Sequence, residues 1–410
     1  MSSSPADPRP TRRTRIVCIS DTHNCTVKLP KGDVLIHAGD LTNQGSLSEL
    51  TKAIQWLEKA DFEAKIVIAG NHDKALDTAL SSKSSLPLAI SPEARCFHDQ
   101  SLPNPKECLS LFETHGPSIT YLRHESAVIN LTDSKGPRTK FKVLGSPGTP
   151  GLGDKWAFGY ERSVYDPNYV SRERQEARAI TDLGVKPDGN EDKTADKIWS
   201  SIPSDTDILI THTPPYGHCD LGVVRGSDGL SETGEVGEKK TEKDRHLGCY
   251  SLLQRLSVVR PRLHVCGHVH RARGAERVQW PPPSPHTLDR GEDISSDAEG
   301  GWTESGTGKW MDPSPDPKSA KISLVDLTGR GRGEGSRRLD WDDAEVSDAA
   351  GERGKGRERR REGRKETCVV NCAILASNYP HAGGKKFHKP VVVDLELPVC
   401  EEGDRGVEKV

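Results

Sequence analysis

Short apolar runs, each closed by glycine or polar residues, punctuate this chain: TRIVCIS at 14–20, VLIHAG at 34–39, KIVIAG at 65–70, KFKVLG at 140–145, DILITH at 207–212 and LHVC at 263–266. Runs of this length, rich in Val and Ile and bounded by turn formers, predict β-strands, and their near-continuous hydrophobicity predicts burial on both faces. Between the second and third runs, Leu47, Leu50, Ile54 and Leu57 recur at the helical period, and Ser46 with Glu49 has the spacing of a capping box. A strand, a helix and a strand in that order predict a parallel pair joined by a right-handed crossover. Towards the C-terminus, CVVNCAIL at 368–375 and PVVVDLEL at 390–397 predict two more strands, read as a hairpin that closes a sheet.

The pattern lapses in two places. From 279 to 365 the chain runs through PPPSP, GEDISSDAEGG, DPSPDP and GERGKGRERRREGRK, with few apolar residues apart from a short KISLVDL. Such a stretch cannot offset its ordering entropy and reads as a long disordered, low-complexity insertion. A shorter polar insertion spans about 171–196. The expected organisation is therefore a disordered tail at 1–13, a folded domain over 14–278 that strands within 366–398 complete, and a second tail at 399–410.

Composition agrees with that division, since 33% hydrophobic and 5% aromatic against 29% charged residues is lean for a wholly compact chain. A formal net charge of -3 provides no global field to attract nucleic acid or an anionic membrane. The Arg/Lys block at 355–365 is the local exception and a candidate nuclear-localisation or nucleic-acid segment. No run of about 18 apolar residues occurs, and the N-terminal stretch lacks the apolar core of a secretory signal. The 10 cysteines are scattered as singles without a CxxC pair, which fits reduced thiols. The expected compartment is cytoplasmic, with nuclear entry through the basic block as the variant, and no membrane partner.

Polar residues gather at the strand ends. Asp21 and His23 follow the first strand, Asp40 the second, Asn71 and His72 the third; His212 ends a later strand, and His268 and His270 follow LHVCG. A lone HxH is usually an ordinary loop feature, and His37 and His264, inside apolar strands, read as satisfied core histidines. The ordered series differs, because in a layered sheet architecture the carboxyl ends of strands share one crevice. Two carboxylates, an amide oxygen and several imidazoles buried together need a cationic partner. Two divalent ions bridged by a shared carboxylate fit the count, whereas structural zinc does poorly for want of a cysteine pair.

DxH, GD, GNH followed by Asp, a strand-end His and GHxH, complete and in this order, make the chain resemble the calcineurin-like metallophosphoesterases. VLGSPGTP with WAF, THTPPYGHCD and HLGCYSLLQRLSVVRPRLHVCGHVH resemble more narrowly the metallophosphoesterase-domain-containing branch. The resemblance implies an α/β (α+β) four-layer sandwich of two mixed β-sheets flanked by helices. It also implies that Asp21, His23, Asp40 and His270 hold one divalent metal (Mn, Fe or Zn) and that Asp40, Asn71, His212 and His268 hold a second. A hydroxide bridging the two would attack phosphorus, with His72 as the catalytic proton donor to the leaving group. Protein Ser/Thr phosphatases of this superfamily carry GDxVDRG, where this chain has GDLTNQG; without that arginine clamp a small phosphodiester or nucleotide-like substrate is expected over a phosphoprotein. His218, in the PPYGHCD loop, is the candidate substrate contact. Alternatives of another class are a low-turnover metal-binding regulatory protein, a nuclease or a protein phosphatase of the same fold.

Overall fold

The computed structural model describes residues 10–80, 103–114, 118–151, 156–168, 194–225, 242–280, 308–310, 323–330, 338–339, 364–377 and 384–410. Two large sheets dominate. The six-stranded sheet runs β15 (Ser323–Asp326), β17 (Val391–Pro398), β1 (Thr11–Ile19), β2 (Val34–Ala38), β3 (Ala64–Ile68) and β4 (Ile119–Tyr121). The eight-stranded sheet runs β14 (Gly308–Trp310), β13 (Gly274–Gln279), β16 (Glu366–Asn371), β12 (Leu263–Cys266), β9 (Ile208–Thr211), β6 (Lys140–Ser146), β5 (Glu125–Asn130) and β18 (Val407–Lys409). Two small pairs, β10 (Leu221–Arg225) with β11 (Glu242–His246) and β7 (Thr149–Pro150) with β8 (Gly159–Tyr160), lie outside them.

Strand alternation creates the layers. In β1, Ile16 and Cys18 face a core shared with Ile208, Ile210, Leu263 and Val265 of the other sheet. Val17 and Ile19, one residue out of phase, face a second core with Leu50, Ile54 and Leu57 of the helix Leu47–Glu58. On the far side, Leu209 and Cys266 pack under the helix Tyr250–Val259, together with Trp199. Helix, sheet, sheet and helix thus form the four-layer sandwich, and sheets covered on both faces explain the near-absence of polar alternation in their strands. The expected capping box is present: Ser46 and Glu49 exchange side-chain and backbone bonds at the helix start. Full burial of Leu50, Ile54 and Leu57 stabilises this layer by roughly 1.5–3 kcal/mol each.

The crossover expectation holds, with β1, β2 and β3 mutually parallel and the capped helix between β2 and β3. The C-terminal hairpin does not. β16 pairs β12 in parallel and β13 antiparallel, whereas β17 pairs β1 antiparallel and β15 in parallel, in the opposite sheet. Both strands are buried on both faces: Cys368, Val370, Val391 and Val393 line the core between the sheets, whereas Val369 and Val392 face different outer layers. The span read as an unstructured insertion contributes β14 and β15, and the two expected tails supply the start of β1 and β18. Residues 279–280, 327–330, 338–339 and 364–365 of that insertion are also described; its remaining residues, including 355–363 of the basic block, and 171–193 of the shorter insertion lie outside the described residues. No described helix is long and apolar enough to cross a membrane.

Candidate metal centre

The carboxyl ends of β1, β2 and β3 in one sheet meet those of β9 and β12 in the other. Backbone bonds stitch the meeting point: Asp21 N–H donates to Gly39 O at 2.9 Å, His23 N–H to Asp40 O at 3.1 Å, and Gly267 N–H to His212 O at 3.1 Å. The turns are forced into unusual backbone. Among the described residues, five of the ten non-glycine positions with positive φ are Asp21, His23, Asn24, Asp40 and His268. Asp, Asn and His tolerate this region better than other side chains, yet each such residue costs about 1–3 kcal/mol, a strain that concentrates where function needs a side chain re-aimed.

Two glycines complete the cradle. A β-carbon at Gly70 would collide with the Asp40 carboxylate and lie 2.7 Å from the His212 ring, and one at Gly267 would collide with Ser20 and the Asp21 carboxylate. The glycines that precede Asn71 and His268 in their motifs are therefore required by close approach of the neighbouring side chains.

Into this space the structure brings most of the expected set. Asp21 and Asp40 are buried, and their ion-pair partners among the described residues are all imidazoles: His270 Nε2 lies 3.1 Å from Asp21, while His212 Nε2 and His23 Nε2 lie 3.4 and 3.7 Å from Asp40. The same His212 nitrogen is 3.0 Å from Asn71 Oδ1, and its Nδ1 sits 2.9 Å from Ala38 O. Three triads offer one ligand atom per residue within 4.8 Å of one another: Asp21–His23–His270, His23–Asp40–His72 and Asp21–Asp40–His212. His268 belongs to none of the triads. Its ring packs 5.1 Å from that of His212, and its backbone N–H donates to both Asp21 oxygens at 3.0 and 3.2 Å.

Burial alone would raise both carboxyls, but His270 and His212 hold Asp21, and His212 and His23 hold Asp40, below the usual range. Burial likewise works against a charged His212 and His270, and the facing carboxylates override it in each, raising both. His268, half-buried with its ring facing His212, is pushed down to about 3 by desolvation and by that neighbouring imidazole. Oxygen and imidazole donors at these separations, with the surrounding glycines cut back to admit them, fit divalent ions of the borderline-hard type.

His218 stays apart from this cluster. Its Nδ1 is 2.9 Å from Glu276 Oε2, and Glu276 Oε1 also accepts the Cys219 N–H, so the contacts anchor the loop. Asp220 does the same, accepting from Gly217, Gly248 and His246. His37 and His264 are core residues, bonded at Nε2 to Thr22 at 3.0 Å and Thr211 at 2.7 Å.

Three residues make contacts that the sequence reading did not foresee. Asp73, buried, accepts from Thr42 Oγ1 (2.7 Å), Gly70 N–H (2.8 Å), Thr42 N–H (2.9 Å) and Leu41 N–H (3.2 Å), locking the Asp40 loop to the Asn71 loop. Burial and the nearby Asp40 raise its carboxyl to about 6. The signal was its place directly after GNH. Lys385 reaches from the C-terminal segment to donate to His23 O at 3.0 Å, a contact no local motif announces. Trp156 packs its ring 4.5 Å from that of His72.

Fold and cluster define the class: a double-sheet sandwich carrying a set of metal-ligand residue types where the strand ends of its sheets meet. Residues 14–272 match the profile of the calcineurin-like phosphoesterases, and the chain belongs to that family. It is 35% identical over 268 residues to a probable rhamnogalacturonate lyase C of Emericella nidulans, a match covering 65% of this chain and 18% of that protein. Metallophosphoesterase domain-containing protein 1 of Homo sapiens is 31% identical over 270 residues, covering 65% of this chain and 64% of that one. A UPF0046 protein of Caenorhabditis elegans is 27% identical over 281 residues, 67% of this chain and 69% of its own length. The chain thus spans less than two thirds of the first two relatives.

Proposed function

We propose that this chain is a metal-dependent phosphoester hydrolase whose preferred substrate is a small phosphodiester. Asp21, His23, Asp40 and His270 would hold one divalent cation and Asp40, Asn71, His212 and His268 a second. The single observation that carries this reading is the position of Asp40: its buried carboxylate lies within 3.4 Å of His212 and 3.7 Å of His23, with no Lys or Arg among the ion-pair partners it makes with described residues. Shared by donors on both sides, it suits a bridging ligand. The cations, when bound, would neutralise phosphoryl charge and lower the pKa of water towards neutrality.

The chain's own residues supply the rest. His72 is half-buried, and its Nδ1–H donates to Asn43 O at 2.7 Å, which leaves Nε2 as the nitrogen for proton transfer to a departing alkoxide. Its backbone N–H donates to Asp40 Oδ1 at 2.8 Å and ties the two groups together. Asp73 keeps the two loops in register. The GDLTNQG text, with no arginine at the clamp position, favours a diester over a doubly charged monoester.

The test is metal analysis of the purified chain together with turnover of bis-aryl diesters, cyclic nucleotides and monoesters, with and without manganese. About two equivalents of metal and a preference for diesters are expected. Faster turnover of monoesters, or metal binding with no turnover of any ester, would overturn the reading.

A further inference from the structure

His72 is held by one side-chain hydrogen bond and two ring contacts. The edge of His23 lies 4.7 Å away at 83°, and the indole of Trp156 lies 4.5 Å away at 59°. Trp156 is only half-buried and belongs to none of the three hydrophobic clusters, so its place does not follow from core packing. The neighbouring residues fix it there. Ala157 is fully buried and donates its N–H to Asn71 O at 3.1 Å; Phe158 donates to Asp77 Oδ2 at 2.7 Å and packs on the outer helix layer. Lys74 Nζ stands 5.0 Å from the indole centroid, a cation–π contact that pins the ring from the loop carrying His72.

We infer that Trp156 is a positioning residue for His72: the indole, delivered by the WAF segment, holds the imidazole with Nε2 directed at the leaving-group oxygen. The inference rests on the reading of His72 as proton donor. Physically, the Nδ1 bond to Asn43 O leaves the ring free to swing about that bond, and the indole on one side and His23 on the other remove the swing. A misplacement of about 1 Å in such a group can cost on the order of a hundredfold in rate, so even partial loss of orientation is measurable.

The full-length chain, loaded with manganese, is compared as wild type, Trp156→Ala, Trp156→Phe, His72→Ala and Trp156→Ala/His72→Ala. Each is assayed on two diesters that share one phosphoryl end, one losing an alkoxide and the other a nitrophenolate. Trp156→Ala should lower kcat for the alkoxide ester by about tenfold, with KM within about twofold and the nitrophenolate ester nearly untouched. Trp156→Phe should restore most of the loss, and the double variant should be no slower than His72→Ala. Independently of activity, the carbon-bound ring protons of His72 in the metal-free chain should carry a ring-current shift by NMR that Trp156→Ala abolishes and Trp156→Phe retains in part.

A raised KM at unchanged kcat would make Trp156 a wall for substrate and overturn the inference. Equal loss on both esters, or further loss when His72 is already alanine, would do the same. If His72→Ala itself slows both esters equally, the proton-donor reading fails and the inference with it. If His72→Ala discriminates between the esters and Trp156→Ala does not, the inference alone fails.

Discussion

Two pairs of histidines, set within and just beyond the strands, behave in opposite ways. His37 lies within β2 and His264 within β12, whereas His212 follows β9 and His270 lies beyond the end of β12. In the core pair, each Nε2 meets a threonine hydroxyl and each Nδ1 has no hydrogen-bond partner among the described residues. Because Thr211 Oγ1 donates to Thr213 O, it accepts from His264 Nε2–H, and the bare Nδ1 would become an unsatisfied charged donor if protonated. Burial therefore pushes His264 down to about 3 and His37 to about 4. In the site pair formed by His212 and His270, equally removed from bulk water in the first case, carboxylates at 3.4 and 3.1 Å reverse the sign. Burial alone pushes an imidazole down; a carboxylate facing the ring raises it.

The largest effect that would test this contrast is at Asp40. Asp40→Asn removes the charge that His23 and His212 share, and metal affinity measured by calorimetry should fall by more than about a hundredfold, beyond what loss of an outer-sphere partner causes. Wild-type affinity in that variant would move Asp40 out of the ligand set.

Next comes His72, which touches the cluster but has a backbone carbonyl as its hydrogen-bond partner. His72→Ala should keep bound metal and lose roughly a hundredfold in kcat on alkoxide leaving groups while sparing activated aryl esters. Uniform loss across leaving groups would place it with the ligands instead.

The smallest effect sharpens the core side. With a folded-state value pushed down to about 3, His264 stays neutral while its unfolded counterpart takes up a proton near pH 6.5. Its contribution to stability is therefore fully present above pH 6.5 and is lost as pH falls towards 3, at up to about 1.4 kcal/mol per pH unit. His264→Gln, which can still donate to Thr211, should give a shallower fall of unfolding free energy between pH 6.5 and 4.5 in urea titrations. Parallel slopes for variant and wild type would remove His264 from the acid sensitivity.

Strands β1, β2, β3, β6, β9, β12, β16 and β17, the capped helix and the strand-end grouping of Asp21, His23, Asp40, Asn71, His212, His268 and His270 were legible in local spacing. Periodicity and turn chemistry act over a few residues, and strand ends are where such turns fall. The core reading of His37 and His264 was legible for the same reason, from the apolar neighbours on either side of each.

Contacts between residues far apart in the chain were not legible. Asp73 binding the Asp40 loop, Lys385 reaching His23 O and Trp156 packing on His72 each join segments whose local patterns carry no mark of one another. The destination of β16 and β17 was hidden for the same cause: each strand has apolar residues at successive positions and is buried on both faces, a pattern that fits an interior position in either sheet. Chain-local chemistry alone thus determined the elements and the inventory of candidate ligands. Only tertiary structure decided which sheet each strand joined and which buried imidazoles face a carboxylate, because burial and charge proximity are properties of the packed whole.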